Sequence, residues 1–474
     1  MLPLFLLVPF VSLLILNMLR GRAARRIAFT LVSVVALGQI VAVLWPPARD
    51  LPATEPLSAF LALGLHSDSL SQVLLLSIGI VVMAAVAVGR ATLSYDKHRV
   101  NFVSVLLLSL AAMNGTVLLS DMFSLYVFVE VTSVCSFTLV AFDRTRDSLE
   151  GAFKYLIVSV VATVLMLVSV GLLLLVAGGT SFDAVANALR NGGASPLART
   201  AVAAFVCGLF VKGGVVPFHG WLPGAYSTAP PSASVLLAGI MTKVSGVYGL
   251  IRLTVSVFPP NAELNWVLLL AGAVSIAVGA FGALRQTDMK WLLSYSSISQ
   301  VGYIVLGLGC GTPLGVAAAI LHLFNHAIFK SLLFINAAAV EQRTGTTNMR
   351  LLGGLGSRMP TTSLTSTIAV LSTAGIPPFS GFWSKLVIVI ALWQSQHYAY
   401  AAFAAMLSVV TLTYLLTMQR RVFFGKTAAH LVETREARLG LVLPEVALAL
   451  ITTAVGVLFP WIIGTFLFPL GGIR

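Results

Sequence analysis

The sequence predicts an all-α polytopic membrane protein of about fourteen transmembrane helices, and three observations carry that prediction. The first is composition: of 474 residues, 58% are hydrophobic and 9% charged, against roughly 25% charged in soluble domains. The second is spacing. Apolar runs long enough to span a bilayer, about 20 residues each, fall at about 2–18, 27–45, 70–89, 101–119, 122–142, 154–177, 200–217, 233–254, 264–283, 289–308, 313–339, 362–393, 397–418 and 441–459. The third is the absence of period-two alternation in those runs, which excludes a transmembrane barrel. Disorder is excluded too, because a disordered chain is polar and charge-rich.

The first run, within Met1–Asn17, has no basic stretch before it and no small-residue cleavage pattern after it. It is therefore expected to be a retained span rather than a removed signal. Connections between runs are short, the longest being Pro46–Ser67, Gly178–Arg199 and Arg420–Gly440. With the N-terminus outside, the connections assigned inside carry 20 Lys and Arg, and those assigned outside carry Arg49, Arg190, Arg199, Arg252 and Arg474, which is 5. Such a bias predicts both termini on the outer face of the cell membrane. It also accounts for the net charge of +13 without a nucleic-acid partner.

The four remaining basic residues lie inside apolar runs, and all are lysine: Lys212, Lys243, Lys330 and Lys385. The chain has 21 arginines and 8 lysines, so anchoring alone does not explain the choice. A buried lysine can release its proton, whereas arginine in practice does not. Among acids, Glu130 sits near the middle of its run, and the other carboxylates read as lying in connections or near helix ends. A carboxylate at that depth needs a partner or water, and Lys212 is the expected partner. In the eleventh run, His322, His326 and Lys330 are spaced by four residues and so share one helix face. Imidazoles accept and donate protons through two nitrogens, which suits a relay.

Two runs contain helix-breaking clusters, Lys212-Gly-Gly-Val-Val-Pro-Phe-His-Gly-Trp221 and Ala374-Gly-Ile-Pro-Pro-Phe-Ser-Gly-Phe-Trp383. Pro217 in the first, and Pro377 and Pro378 in the second, must break or end their helices. Bare backbone at membrane depth is tolerated only where protein covers it or a wet cavity meets it. Ser120-Asp-Met-Phe and Thr287-Asp-Met-Lys each open a run, matching Asp121 to Asp288 and Glu130 to Ser297. Five helices separate the copies, which implies inversion. The expected organisation is therefore a three-helix segment (1–100), a first five-helix repeat (101–255), a second, inverted repeat (264–418) and a C-terminal connection with the last helix (419–474). Inverted repeats with discontinuous helices mark translocation sites in transporters.

No cofactor or metal site is expected in this chain. Cys135, Cys207 and Cys310 are single, so neither a cluster nor a zinc site is supported. The three intramembrane bases bring no carboxylate or thiolate. Gly353-Gly-Leu-Gly356 lacks the third glycine of a dinucleotide fingerprint.

Together these segments resemble the antiporter-like, proton-pumping subunits of respiratory complex I, membrane-bound hydrogenases, formate hydrogenlyases and Mrp-type cation/proton antiporters. The resemblance covers roughly residues 100 to 420. It is carried by Tyr126-Val-Phe-Val-Glu130, Val211-Lys-Gly-Gly-Val-Val-Pro-Phe-His-Gly-Trp-Leu-Pro223, Met241-Thr-Lys-Val-Ser-Gly-Val-Tyr-Gly-Leu-Ile-Arg252, Asp288-Met-Lys-Trp-Leu-Leu-Ser-Tyr-Ser-Ser-Ile-Ser299, His326-Ala-Ile-Phe-Lys-Ser-Leu-Leu-Phe334 and Gly375-Ile-Pro-Pro-Phe-Ser-Gly-Phe-Trp-Ser-Lys385.

What the resemblance implies is a subunit with two half-channels. Glu130 then pairs with Lys212, Lys243 links the halves, His326 and Lys330 form a relay, and Lys385 ends it. Family members often carry histidine where this chain has Gln300. The lateral helix that some append is not expected here. By the same resemblance the chain is no enzyme on its own. It works beside other membrane subunits, with iron–sulfur or hydrogenase-like subunits where electron transfer drives the complex. The alternative is membership of a Mrp-type Na⁺/H⁺ antiporter. A scaffold that no longer conducts fits poorly with so full a set of buried groups.

Overall fold

A computed structural model describes residues 2–19, 21–45, 64–93, 98–191, 195–258, 261–427 and 429–462. Arg20, Arg49, Lys97 and Arg474 of the charge count, and most of the connection Pro46–Ser67, lie outside the described residues. The helices that matter are α1 (Leu4–Met18), α2 (Gly21–Leu44), α3 (Ser69–Thr92), α4 (His98–Leu118), α5 (Met122–Val140), α6 (Arg146–Ala177) and α7 (Pro196–Gly213). They continue with α8 (Pro231–Ser256), α9 (Ala262–Leu284), α10 (Met289–Gly309), α11 (Pro313–Thr344), α12 (Pro360–Ala374), α13 (Ser380–Gln394), α14 (Tyr398–Phe423) and α15 (Leu439–Val457). Among the described residues, twelve helices are long and apolar enough to cross a membrane, with α1 and α13 as shorter apolar helices. The all-helical membrane architecture is as the sequence predicts.

The apolar run at 362–393 is two helices, α12 and α13, parted at Gly375–Phe379. The run at 200–217 ends with α7, and the chain re-enters a helix only at Leu222–Thr228. Both breaks begin with a left-handed glycine, Gly214 at φ 66° and Gly375 at φ 87°, a conformation costly for any residue with a Cβ. Both contain a cis X–Pro bond, Val216–Pro217 and Pro377–Pro378.

Two blocks of the chain carry matching local chemistry. Asp121 caps α5, accepting from the Ser124 N–H at 2.8 Å, and takes the Thr180 hydroxyl at 2.5 Å. Asp288 caps α10 through the Trp291 N–H at 3.1 Å and takes the Thr347 hydroxyl. In both cases the threonine lies 59 residues downstream of the aspartate. Between them run α6 and α11, each of 32 residues, each capped by threonine (Thr145, Thr312) and each ended by a left-handed glycine (Gly178, Gly345). Caps of this type satisfy backbone groups that a helix end leaves bare.

The core lies along α8, α10 and α11, which are buried over nearly their whole length, whereas α6 presents much of its apolar surface outward. Close approach has a sequence cause. A Cβ on Gly246 of α8 would come within 2.2 Å of the Gly213 backbone of α7, and one on Gly279 of α9 within 2.3 Å of the Ser299 backbone of α10. Small residues let helix backbones approach at the interfaces of membrane bundles. Here they put the broken helix α7 directly against α8.

Candidate proton-translocation site

Lys212 is in the last turn of α7, immediately before the break. Its ammonium donates to Glu130 at 2.6 Å, to the Ser133 hydroxyl at 2.9 Å and to the Ser159 hydroxyl at 2.7 Å. Three acceptors satisfy three N–H groups, as a desolvated ammonium requires. The lysine side chain is 0% exposed, while that of Glu130 is 23% exposed. Ser133 lies three residues after Glu130 on α5, and Ser159 projects from α6.

The break is covered by neighbours. The Val216 N–H donates to the Ser275 hydroxyl of α9 at 3.1 Å, and the Trp221 indole N–H to the Val211 carbonyl at 3.0 Å. In the second break the Gly381 N–H donates to the Ser372 hydroxyl at 3.1 Å. There the Asn325 amide of α11 donates to the Ser380 carbonyl at 2.9 Å. Backbone groups freed by proline and glycine are thus satisfied within the protein.

Lys243 sits where α8 departs from regular geometry, the stretches Leu237–Met241 and Lys243–Tyr248 being π-helical. Its ammonium bonds the Ala238 carbonyl, lies 3.3 Å from the Thr242 hydroxyl and stands 5.6 Å from the Tyr226 ring centroid. π-helical turns are rare and gather at functional sites. Side-chain periodicity gives no sign of this one, so it is invisible in the sequence.

His322, His326 and Lys330 are all fully buried on α11. Their partners differ. His322 Nδ1 meets the Ser384 hydroxyl of α13 at 2.8 Å. Lys330 donates to the Ser296 hydroxyl at 2.7 Å and the Leu293 carbonyl at 3.2 Å, both on α10. Between them, neither ring nitrogen of His326 has a hydrogen-bond partner of good geometry among the described residues, nor has the side-chain amide of Gln300, which stands beside the Tyr414 hydroxyl. Buried polar atoms are normally hydrogen-bonded, so these exceptions single out His326 and Gln300. The Tyr414 hydroxyl donates to Ser296 at 2.8 Å, tying Lys330 to α14.

Lys385 is on α13, after the second break. Its ammonium reaches back to the Thr373 and Ala374 carbonyls, at 2.9 and 3.4 Å, and lies 4.5 Å from the Tyr303 ring centroid. The four lysines and two histidines are therefore all inside the protein, distributed over α7, α8, α11 and α13.

Three residues differ from the sequence reading: Lys290, counted with the inner connections, is 6% exposed and paired with Glu341 at 2.6 Å, and the other two are Glu445 and Arg252. Glu445, which reads as lying near a helix end, is inside α15 and 0% exposed. Its place five residues after Gly440 in an apolar run was the available signal. Arg252, counted among the outer connections, is 5% exposed and bound to Asp68. Burial pushes the Asp68 carboxyl up, but hydrogen bonds and charge from Arg252, helped by Ser71, outweigh it and hold the carboxyl well below the usual carboxylate range.

Residues 120–411 match the family described as NADH:quinone oxidoreductase/Mrp antiporter, transmembrane. One Na⁺/H⁺ antiporter subunit of Alkalihalophilus pseudofirmus is 33% identical over 77% of this chain and 74% of its own length. An NADH-quinone oxidoreductase subunit of Desulforudis audaxviator is 35% identical over 66% of this chain and 63% of its own length. A chain in the solved Mrp complex from Dietzia sp. matches with a TM-score of 0.87 at 25% identity, covering 99% of this chain and 96% of that one.

Proposed function

This chain belongs to the NADH:quinone oxidoreductase/Mrp antiporter family of membrane subunits, and from that premise we propose that it moves protons through Glu130, Lys212, Lys243, His322, His326, Lys330 and Lys385 as one subunit of a larger complex. The observation that carries this reading is the Glu130–Lys212 pair, 2.6 Å apart beside a broken helix. Its carboxylate is part-exposed at the protein surface while its ammonium is sealed inside. A neighbouring subunit can act on Glu130 without entering the core. An opposite charge beside an ammonium favours the protonated form, so drawing Glu130 away favours release of the Lys212 proton.

The proton then passes by Lys243 on the adjoining α8, across His326 and Gln300, to Lys330 and out by Lys385. The matched caps, 32-residue helices and breaks support two repeats, 101–255 and 264–418, each built around one broken helix. The charge bias supports placing the arginine-rich connections on the inner side of the cell membrane.

The driver we propose is electron transfer in partner subunits of an NADH:quinone oxidoreductase or hydrogenase type of complex, which hold whatever redox cofactors are used. A second reading, Na⁺/H⁺ exchange in a Mrp-type complex, is favoured by the 33% identity to a Na⁺/H⁺ antiporter protein. Affinity purification from the native membrane in mild detergent separates the two. Iron–sulfur or hydrogenase-like subunits in the eluate support the first, and small membrane subunits without redox proteins support the second. For the shared reading, Lys212→Ala is expected to abolish proton movement in vesicles while the complex still assembles. Proton movement at the unmodified rate in that variant overturns it.

A further inference from the structure

Glu445 and Glu436 approach the same hydroxyl. Thr362 Oγ1 lies 2.8 Å from Glu436 Oε1 and 3.1 Å from Glu445 Oε2. A threonine hydroxyl has one proton to donate and lone pairs with which to accept. It can therefore donate to one of these carboxyls only, and the other must donate to it. The surroundings decide which.

Glu436 lies in the connection before α15. It also accepts the Thr361 N–H at 2.7 Å, the Thr362 N–H at 3.4 Å and the Ala437 N–H at 3.1 Å. The first two donors open α12, which has no side-chain cap of its own, so Glu436 is the cap, and a helix N-terminus favours an anion there. Among the described residues, every hydrogen bond to the Glu436 carboxylate comes from an N–H or a hydroxyl, so Glu436 is placed as an acceptor. Arg343 holds the Glu436 backbone carbonyl at 2.5 Å, fixing the connection in place.

Glu445 is the opposite case. It is 0% exposed inside α15, and no lysine or arginine among the described residues forms a salt bridge with it. Thr365 and Asn336 stand beside it, and Oε1 has no hydrogen-bond partner of good geometry among the described residues. An unpaired carboxylate is costly at such a place, whereas a carboxylic acid is tolerated and donates.

We propose that Glu445 is a proton-carrying carboxylic acid and that Glu445, Thr362 and Glu436 form a proton relay between the interior of the second repeat and the face bearing the Arg420–Gly440 connection. This inference deepens the proton-translocation reading above and rests on it. The step balances. Glu445 gives the proton on Oε2 to Thr362 Oγ1 as Thr362 passes its own hydroxyl proton to Glu436 Oε1. One O–H bond breaks and one forms at Thr362, no electrons change hands, and rotation of the hydroxyl resets it. Glu436, half-buried, then exchanges with water. On the interior side, Asn336 belongs to α11, six residues beyond Lys330, about 9 Å along the helix at 1.5 Å per residue.

The test uses the complex purified from its native membrane and reconstituted in vesicles, driven by its own electron donor or by an imposed sodium gradient. Infrared spectroscopy of the same complex at neutral pH supplies a second readout. We expect Glu445→Gln and Thr362→Val each to slow proton movement by about a hundredfold, at the lower end of what a positioned proton donor contributes. Thr362→Ser is expected to keep the rate. A carboxylic-acid carbonyl band is expected in the unmodified complex, absent in Glu445→Gln and shifted in Thr362→Val.

Unmodified rates in Glu445→Gln and Thr362→Val beside a dead Lys212→Ala overturn the relay and leave the broader reading standing. If Lys212→Ala is also unaffected, the broader reading fails, and absence of the Glu445 band then overturns the protonated acid on its own evidence. Loss of rate in Thr362→Val with no recovery in Thr362→Ser assigns Thr362 a packing role only and overturns the relay.

Discussion

Lys385 donates to the Thr373 carbonyl at 2.9 Å across the second helix break. When the two breaks are matched at their left-handed glycines, Gly214 and Gly375, Thr373 stands where Lys212 stands in the first. Aligned in this way, the first break has its lysine on the helix before it, Lys212 on α7, and the second on the helix after it, Lys385 on α13. The Lys385 ammonium thus lies at the backbone of the residue that matches Lys212.

It follows that position should matter more than sequence. Lys385→Ala is expected to slow proton movement by on the order of a hundredfold, as for loss of a positioned proton donor. Adding Thr373→Lys should recover part of the rate by supplying an ammonium from α12. Proton uptake by reconstituted vesicles measures both, and a double variant no better than the single one would show that the lysine must come from α13.

Charge removal at Glu130 should cost stability as well as function. Glu130→Gln leaves Lys212 with two hydroxyls and an amide carbonyl, and breaking a buried pair on one side costs about 3 kcal/mol. A thermal unfolding midpoint lowered by several degrees in detergent is the expected outcome. Ser133→Ala and Ser159→Ala, which each remove one neutral acceptor, should cost about 1–2 kcal/mol and rank below it.

The contact of α7 with α8 gives a packing prediction. A Cβ on Gly246 would come 2.2 Å from the Gly213 nitrogen, whereas one on Gly171 of α6 meets nothing within 4 Å. Gly246→Ala should therefore destabilise by about 1–3 kcal/mol or more, as overpacking does, and move Lys243 relative to Lys212. Gly171→Ala should be neutral or stabilising by up to about 1 kcal/mol. Unfolding midpoints and proton-movement rates of the two variants should diverge in both measurements.

The Asp68–Arg252 pair sets a pH dependence. The Asp68 carboxyl is depressed when folded, so its stabilising contribution is complete above the unfolded aspartate range, near pH 4. It fades as pH falls through the lower folded value. Asp68→Asn keeps an acceptor for the Ser71 N–H that Asp68 now caps at 2.8 Å but removes the charge. It should lower the unfolding midpoint at neutral pH and narrow the gap to the unmodified protein only in strong acid. A gap that stays constant down to the lowest pH measured would place the stabilisation in the cap rather than the ion pair.

What could be read from the chain beforehand has a physical boundary. Spans, breaks and the Glu130–Lys212 pair were legible because each is a local exception to an apolar background: a proline cluster, one acid, one base. Glu445 was not, since four or five residues from the start of an apolar run look like a helix end until packing shows which side of the membrane protein encloses it. Asp68 and Arg252 lie 184 residues apart, and their pairing needs the tertiary fold. The π-helical turns around Lys243 leave no mark on composition or periodicity. The lack of any hydrogen-bond partner for the His326 ring nitrogens among the described residues, four residues from two hydrogen-bonded neighbours, is likewise a fact of packing.

The threefold hydrogen bonding of Lys212 also bears on what the chain prevents. An ammonium whose every N–H is engaged has none left to donate to a passing water molecule, so on the proposed reading this arrangement does not conduct. Each elementary charge held back across 100 mV is worth about 2.3 kcal/mol, and a permanently open proton wire would dissipate that continuously. On that reading the loss of Ser133 or Ser159, each a hydroxyl acceptor of Lys212, should show first as leak in an idle complex.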